Sequence, residues 1–235
     1  MLNPLLDIPR LKADYAVDNR VRVDDLLTVE SASRVRDAAG SLPYDYLFFS
    51  AGENRVASPE QMAALSREQR GQLQQELNEL AREGTGFLYG GYRMEGDHLA
   101  DAPPVLRELF ELINSESVLS LIREVSGIEE IYSASGQYTR YTAGNYLTRH
   151  SDNITAEQRR IAYVLGLTPA WHPDWGGLLQ FFEPDGTCRD TWAPRVNSLA
   201  LFDVRHVHSV TYVAPWAGAP RLALTGWFSS RRPYH

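Results

Sequence analysis

A histidine and an aspartate two residues apart, His150 and Asp152, are the clearest candidates for chemistry in this 235-residue chain. They follow a run of strand-forming residues, and side chains two apart on a strand point to the same face. A third ligand could come from a distant strand that contains His206 and His208. Two imidazoles and one carboxylate form the facial triad of non-haem Fe(II) oxygenases, which leaves adjacent metal positions open. The same donors can hold Zn(II), whose bound water can hydrolyse substrates.

The second half of the chain must supply the strands that would position these residues. From Ile128 onward, short β-branched and aromatic runs are separated by clusters of proline and glycine. Strands are predicted over 131–142, 160–168, 178–182, 198–204, 207–213 and 222–229. Successive strands without intervening helices indicate an antiparallel sandwich or barrel.

The first half is predicted to be mostly helical. Ser58 suits an N-cap, Pro59 the first helical position and Gln61 the third position of a capping box. Helices are predicted over 31–40, 59–82 and 104–125, the last divided near 114–115, with strand-forming residues over 44–49 and a strand or helix near 21–29. We predict a mainly β fold with a helical buttress (α+β), as a single domain over 1–235. Its first part, 1–127, is mostly helical support, and 128–235 is the catalytic core.

The metal pattern also has decoys. A second H-x-D sequence, His172-Pro-Asp174, lies where Pro169 and Pro173 break strand geometry. We therefore predict that His172 is a loop residue near the barrel mouth and not a ligand. His206 and His208 would share one strand face, so position alone does not choose between them.

Composition narrows the partners and the compartment. A net charge of −7 disfavours a nucleic-acid backbone as the main partner. The lone cysteine, Cys188, excludes an internal disulfide and fits a reducing compartment. Residues 1–12 lack the pattern of a signal peptide, and no apolar run approaches the ~20 residues that span a bilayer. These features predict a cytoplasmic protein that binds neither nucleic acid nor membrane.

Several motifs occur in a recognisable order between residues 137 and 229. They are Tyr141-x-x-Gly144-x-x-Leu147-x-x-His150-x-Asp152, Arg159-Arg160-Ile-Ala-Tyr163, Trp171, Trp175-Gly176-Gly177 and Arg221-Leu-Ala-Leu-Thr225-Gly-Trp227-Phe. This region resembles the 2-oxoglutarate- and Fe(II)-dependent dioxygenases of the prolyl hydroxylase type. It is similar to both the ribosomal-protein and the hypoxia-sensing prolyl hydroxylases.

The resemblance implies a double-stranded β-helix (jelly-roll) with a metal at its open end. In that alignment the distal histidine precedes Ser209-Val210, which selects His208 as the third ligand beside His150 and Asp152. The cofactors implied are Fe(II), 2-oxoglutarate and dioxygen, with ascorbate as a further candidate reductant.

The resemblance also assigns the remaining site residues. Arg221 would bind the distal carboxylate of 2-oxoglutarate, for which a planar guanidinium is well suited. Tyr141 would contact the same carboxylate, with Thr225 assisting. Arg159 and Trp227 are candidate substrate contacts, although an arginine that begins a strand is usually solvated, and Trp227 is expected to pack beside the site. Gly166 replaces a tyrosine common in the family, which implies a larger pocket.

The predicted activity is hydroxylation of a C–H bond, with decarboxylation of 2-oxoglutarate to succinate and CO2. A prolyl residue of a protein or peptide is the expected substrate. Free proline or another small metabolite is the alternative substrate. A zinc hydrolase or a catalytically inactive binding barrel are the alternative functions.

Overall fold

A curled antiparallel sheet organises the computed structural model, which describes residues 1–232 and contains in them thirteen strands and seven α-helices. The strands are β1 (Arg20–Val23), β2 (Asp45–Ser50), β3 (Glu53–Ala57), β4 (Phe87–Arg93), β5 (Ser133–Ala134), β6 (Gln137–Tyr141), β7 (Tyr146–His150), β8 (Arg159–Gly166), β9 (Leu179–Phe182), β10 (Cys188–Trp192), β11 (Leu199–Asp203), β12 (His208–Val210) and β13 (Arg221–Ser229). The helices are α1 (Ile8–Asp18), α2 (Val29–Gly40), α3 (Pro59–Ala64), α4 (Arg67–Arg82), α5 (Gly96–Asp101), α6 (Pro104–Ile113) and α7 (Glu116–Ser126).

The strands run in the order β1-β11-β8-β13-β6-β4-β7-β12-β9-β10, and the β2–β3 hairpin extends from β4. Every recorded pairing is antiparallel, including β13 with β8, where Thr225 pairs with Val164. The mainly β class with a helical buttress is therefore confirmed. None of the helices in the described part of the chain has both the length and the hydropathy needed to cross a bilayer.

The first half of the chain contributes strands as well as helices. β4 lies between β6 and β7, so that Gly90 pairs with Arg140 and Leu88 with Tyr146. β1 pairs with β11, although the two strands are far apart in sequence. The strands after residue 128 therefore do not form the sheet alone, and the sequence analysis missed β3 and β4.

The predicted helix break near 114–115 is confirmed, but the prediction of one unbroken helix over 59–82 is wrong. The division near 114–115 separates α6 from α7. The single helix predicted over 59–82 is instead two helices, because a second capping box forms at Ser66 and Gln69. The Ser66 hydroxyl accepts from the Gln69 amide at 3.1 Å, and the Gln69 side chain accepts from the Ser66 amide at 2.8 Å. Because Ser66 caps the start of a new helix, the preceding helix must end before Ser66.

The two faces of the sheet have different neighbours. Leu222, Leu224 and Phe228 of β13 belong to the core shared with α1, α2, α6 and α7. The alternate residues Arg221, Thr225 and Trp227 line a cavity on the inner side of the barrel. Because side chains alternate along a strand, one apolar face anchors β13 to the helices and leaves the other for the site.

Candidate active site

His150 and Asp152, which are close in sequence, meet the distant His208 at one end of the barrel. One potential ligand atom each of His150, Asp152 and His208 lies within 4.8 Å of the other two. The Nε2 atom of His150 is 3.6 Å from Asp152 Oδ1, and that of His208 is 3.5 Å from Asp152 Oδ2. His150 ends β7 and pairs directly with His208, the first residue of β12. Strand pairing therefore brings the two imidazoles together.

Backbone carbonyls orient both rings. Nδ1 of His150 lies 2.9 Å from the Thr148 carbonyl oxygen, and Nδ1 of His208 lies 3.0 Å from that of His206. A carbonyl oxygen only accepts, so each Nδ1 must carry the hydrogen. Each Nε2 lone pair is then free and faces Asp152, the arrangement that metal-binding histidines adopt.

Burial and charge favour the ligand forms of these groups. Burial is the largest influence on the His208 imidazole and lowers its pKa to about 4, so that His208 is neutral at pH 7. Burial raises the pKa of Asp152, but the nearby His150 and His208 imidazoles outweigh it and leave the net pKa below its ordinary value. For His150, interaction with Asp152 outweighs desolvation and raises the pKa. A neutral imidazole and an ionised carboxylate are the forms that bind Fe(II) or Zn(II), so the donor set fits such an ion.

Arg221 places a guanidinium inside the barrel. The residue is only 4% exposed and begins β13 opposite Tyr141. Its Cζ lies 5.0 Å from the centre of the Tyr141 ring, and the interaction with Tyr141 favours the charged guanidinium. No carboxylate in residues 1–232 forms an ion pair with Arg221, although burial disfavours its charge and lowers its pKa. A buried cation without an anionic partner indicates a site for an anionic ligand.

One cavity connects this guanidinium with the histidine–aspartate cluster. It has a volume of about 80 Å³, and its wall includes Asp152 and His208 as well as Arg221, Tyr141 and Thr225. The Thr225 hydroxyl lies 3.5 Å from the Gln137 carbonyl oxygen. All the residues that the sequence analysis assigned to the metal and the cosubstrate, apart from the half-buried His150, therefore line a single space.

Arg159 and Trp227 form part of the wall beside Asp152. The Arg159 side chain is 12% exposed and lies 2.6 Å from Glu157 and 3.8 Å from Asp152. Its Cζ lies 3.4 Å from the centre of the Trp227 ring. The expectation that Arg159 is solvated is therefore wrong, because stacking and an ion pair hold it against the site. The buried Trp227 Nε1 has no hydrogen-bond partner among residues 1–232, yet it is close enough to Asp152 to lower the pKa of that carboxyl.

His206, the competing histidine, is not part of the cluster. His206 precedes β12 and donates through Nε2 to the Asp18 carbonyl oxygen at 2.8 Å. The expectation that His206 and His208 share a strand face is therefore wrong, because β12 begins only at His208.

His172 is a loop residue, as predicted, but at the other end of the barrel. The side chains of His172 and Asp174 are 61% and 82% exposed. Their loop continues to Gly177, where a Cβ would lie 3.3 Å from Arg221 Cδ at the start of β13. The cluster lies at the opposite end, so the prediction that His172 lies near the mouth is wrong.

Gly166 accommodates a neighbouring backbone and does not enlarge the pocket. A Cβ at this position would lie 2.0 Å from the Arg195 carbonyl oxygen. The Gly166 amide donates to the Ser198 carbonyl oxygen at 2.9 Å, and its own carbonyl oxygen accepts from the Asn197 amide at 2.8 Å. The space expected to be empty is therefore filled by the segment 195–198.

The sequence analysis missed two polar residues at the inner wall. Tyr89 of β4 stacks on Tyr141 with ring centroids 5.0 Å apart, and its hydroxyl accepts from Gln137 Nε2 at 3.3 Å. Both Tyr89 and Gln137 line the cavity and also a larger cleft outside it. The alternation of Phe87 and Tyr89 is a strand signal, but Gly90-Gly91 interrupts it and suggests a turn.

The larger cleft opens from the cluster to the surface and measures about 900 Å³. Apolar and aromatic residues from β2, β3, β4 and β7 line it, namely Leu47, Phe49, Val56, Phe87, Tyr89 and Leu147. Four arginines also line it, Arg55, Arg93, Arg149 and Arg159. The cluster therefore faces a wide cleft on one side and the narrow cavity on the other.

Comparison with known proteins shows which families this chain is similar to. Residues 136–229 match the 2OG-Fe(II) oxygenase superfamily. The prolyl 3-hydroxylase OGFOD1 of Mus musculus is 31% identical over 120 residues, which cover 48% of this chain and 22% of that protein. The Xenopus laevis protein of the same name is 35% identical over 96 residues, 38% of this chain and 18% of that protein. The match therefore spans about a fifth of these relatives.

Solved structures extend the likeness over most of the chain. A prolyl-4-hydroxylase of Pseudomonas putida superposes with a TM-score of 0.63 at 18% identity, covering 95% of this chain and 99% of that one. A Trichoplax adhaerens prolyl hydroxylase, solved with a hypoxia inducible factor peptide fragment, has the same TM-score and identity and covers 95% and 89%. The double-stranded β-helix is thus confirmed. The likeness to the 2OG-Fe(II) oxygenase superfamily lies in residues 136–229.

Proposed function

We propose that this protein is an Fe(II)- and 2-oxoglutarate-dependent dioxygenase that hydroxylates a prolyl residue of a protein or peptide. The observation that carries the proposal is the cavity shared by the ligand cluster and the buried guanidinium. Asp152 and His208 lie on its wall together with Arg221. A metal alone would not require Arg221, and an anion alone would not require the cluster.

His150, Asp152 and His208 would hold the iron. The neutral His208 and the ionised Asp152 need no change of protonation before binding, whereas His150 would release a proton to whatever extent it is protonated. When bound, iron and 2-oxoglutarate supply the oxidising chemistry, in which dioxygen converts 2-oxoglutarate to succinate and CO2 while a substrate C–H bond is hydroxylated.

Arg221 would bind the far carboxylate of 2-oxoglutarate through a charge-assisted, two-pronged contact. The contact with the Tyr141 ring would hold the guanidinium in place, and Tyr89 supports Tyr141 by stacking. Thr225 lines the same cavity and offers a hydroxyl. These residues orient the cosubstrate toward the cluster and exclude water from its far end.

The shape of the larger cleft supports a peptide substrate. Its volume of about 900 Å³ greatly exceeds what a free amino acid would fill. Its apolar lining from the β2–β3 hairpin and β4 could contact residues on both sides of a target proline. The names of the OGFOD1 relatives and the peptide bound to the Trichoplax enzyme agree with this choice.

The test is turnover that depends on added Fe(II) and 2-oxoglutarate. The purified protein, loaded with Fe(II) under reducing conditions, is incubated with 2-oxoglutarate and cell extract, and succinate and peptides that gain one oxygen atom are measured. We expect succinate that depends on both iron and 2-oxoglutarate, and prolyl peptides that carry the added oxygen. Oxygen gained only by free metabolites would contradict the peptide substrate. Hydrolysis that is independent of 2-oxoglutarate would instead support a zinc hydrolase.

A further inference from the structure

The turn that leads into His208 is attached to the N-terminal part of the chain. His206 donates through Nε2 to the Asp18 carbonyl oxygen at 2.8 Å. In the same turn, the Asp203 amide donates to the Asn19 carbonyl oxygen at 2.9 Å. Asp18 and Asn19 join α1 to β1, so two hydrogen bonds anchor the turn on a segment far away in sequence.

His206 is also the residue that orients the distal imidazole. Its carbonyl oxygen accepts from His208 Nδ1 at 3.0 Å. The backbone of His206 therefore directs the His208 ring, while its side chain holds that backbone on Asp18. A change in the position of residue 206 would move the His208 Nε2 atom relative to Asp152.

An aromatic ring packs behind both histidines. The centroid of Phe181 lies 6.0 Å from that of His206 and 6.4 Å from that of His208. Arg20, the first residue of β1, covers this ring with its Cζ 4.7 Å from the centroid. Arg20 also lies 3.3 Å from Asp190 of β10. The α1–β1 junction thus contacts the surroundings of His208 by packing as well as by hydrogen bonds.

We propose that His206 is a positioning residue for His208, and that the α1–β1 junction supports the metal centre from outside. The junction lies before residues 136–229, which match the superfamily. This inference rests on the proposed metal site. Groups that orient metal ligands typically change metal affinity by 10- to 100-fold when they are removed.

The proposal depends on a donor at position 206. Because the Asp18 carbonyl oxygen only accepts, His206 must carry a hydrogen on Nε2. A glutamine side chain can provide an N–H donor of similar reach, whereas alanine cannot. His206→Gln should therefore preserve the support, and His206→Ala should remove it.

Co(II) binding to the full chain tests the proposal, with its absorption spectrum as a report on ligand geometry. We expect His206→Ala to raise the Kd for Co(II) by about tenfold or more and to alter the spectrum. His206→Gln should recover most of the affinity. The exposed His172→Ala serves as the matched control and should bind as the wild type does. The thermal midpoint of each metal-free protein is measured in parallel.

The outcomes separate the possible failures. If His206→Ala lowers the thermal midpoint but leaves the Kd and the spectrum unchanged, His206 is only structural and the inference is overturned. Equal loss of affinity in His206→Ala and His206→Gln would also contradict a role for the side-chain donor. If His208→Ala binds Co(II) as tightly as the wild type, the proposed metal site itself fails.

Discussion

Arg221 carries a permanent charge into the barrel, and its surroundings explain why it can remain there. The Tyr141 ring lies against it, but no acidic residue in 1–232 forms an ion pair with it. Desolvation of an unpaired charge is unfavourable, so a site of this kind gains stability when an anion binds. Arg221 is therefore the residue on which the binding of such an anion chiefly depends.

Arg221→Ala should chiefly raise the KM for 2-oxoglutarate. Loss of the charged partner of a bound carboxylate costs ~2–5 kcal/mol, which corresponds to a change well above tenfold. Succinate formation against 2-oxoglutarate concentration measures it. Arg195→Ala is a suitable control, because the Arg195 side chain is largely exposed and pairs only loosely with Asp24. An increase below tenfold would point to a different anchor.

Asp152→Ala should abolish iron-dependent turnover, because it removes the only anionic donor of the cluster. The second H-x-D sequence offers a matched control in Asp174→Ala, which changes an exposed carboxylate far from the cluster. Succinate release by the two variants is compared at saturating iron and 2-oxoglutarate. Near-normal turnover of Asp152→Ala would refute the ligand assignment.

Individual elements were predictable where local signals were strong. The run from Arg221 to Ser229 is β-rich and was predicted within one residue, and Asn114-Ser115 correctly marked a helix break. By contrast, β3 was missed because Glu53–Ala57 is almost wholly exposed and lacks apolar alternation. Its pairing with β2 supplies the structure that its own residues do not specify.

Gly166→Ala should destabilise the protein, because the new methyl group on β8 would overlap the Arg195 carbonyl oxygen. Overpacking of this kind costs about 1–3 kcal/mol. Gly71→Ala is the opposite case, since Gly71 lies within α4 and, apart from its chain neighbours and the helix's own backbone, no atom lies within 4 Å of its added Cβ. Alanine there should stabilise by roughly 0.5–1 kcal/mol. Urea unfolding measures the stability of both variants. A Gly166→Ala variant as stable as the wild type would contradict the packing argument at Gly166.

At the scale of the whole molecule, the two halves of the sequence are interleaved. β4 from the first half lies between β6 and β7 and brings Tyr89 against Tyr141. The His150, Asp152 and Arg221 candidates could be selected from the sequence because family motifs surround them. The wall around Tyr89 could not, since it depends on a pairing between strands that no local pattern encodes.

The segment 128–235 should therefore not fold by itself. Without residues 1–127, the sheet lacks β1 and β4, and its outer face loses the helices that cover it. Circular dichroism during urea titration should show a cooperative transition for the full chain and none for the fragment. A cooperative transition of the fragment would instead place an independent domain boundary near residue 127.

The pairing of β1 with β11 has a consequence for biosynthesis. β1 emerges from the ribosome well before Leu199–Asp203 of β11, because most of the sheet lies between them in sequence. Until then its hydrogen-bonding edge has no intramolecular partner, and closing so long a loop is entropically slow. The nascent chain is thus expected to need protection from aggregation until β11 has been made.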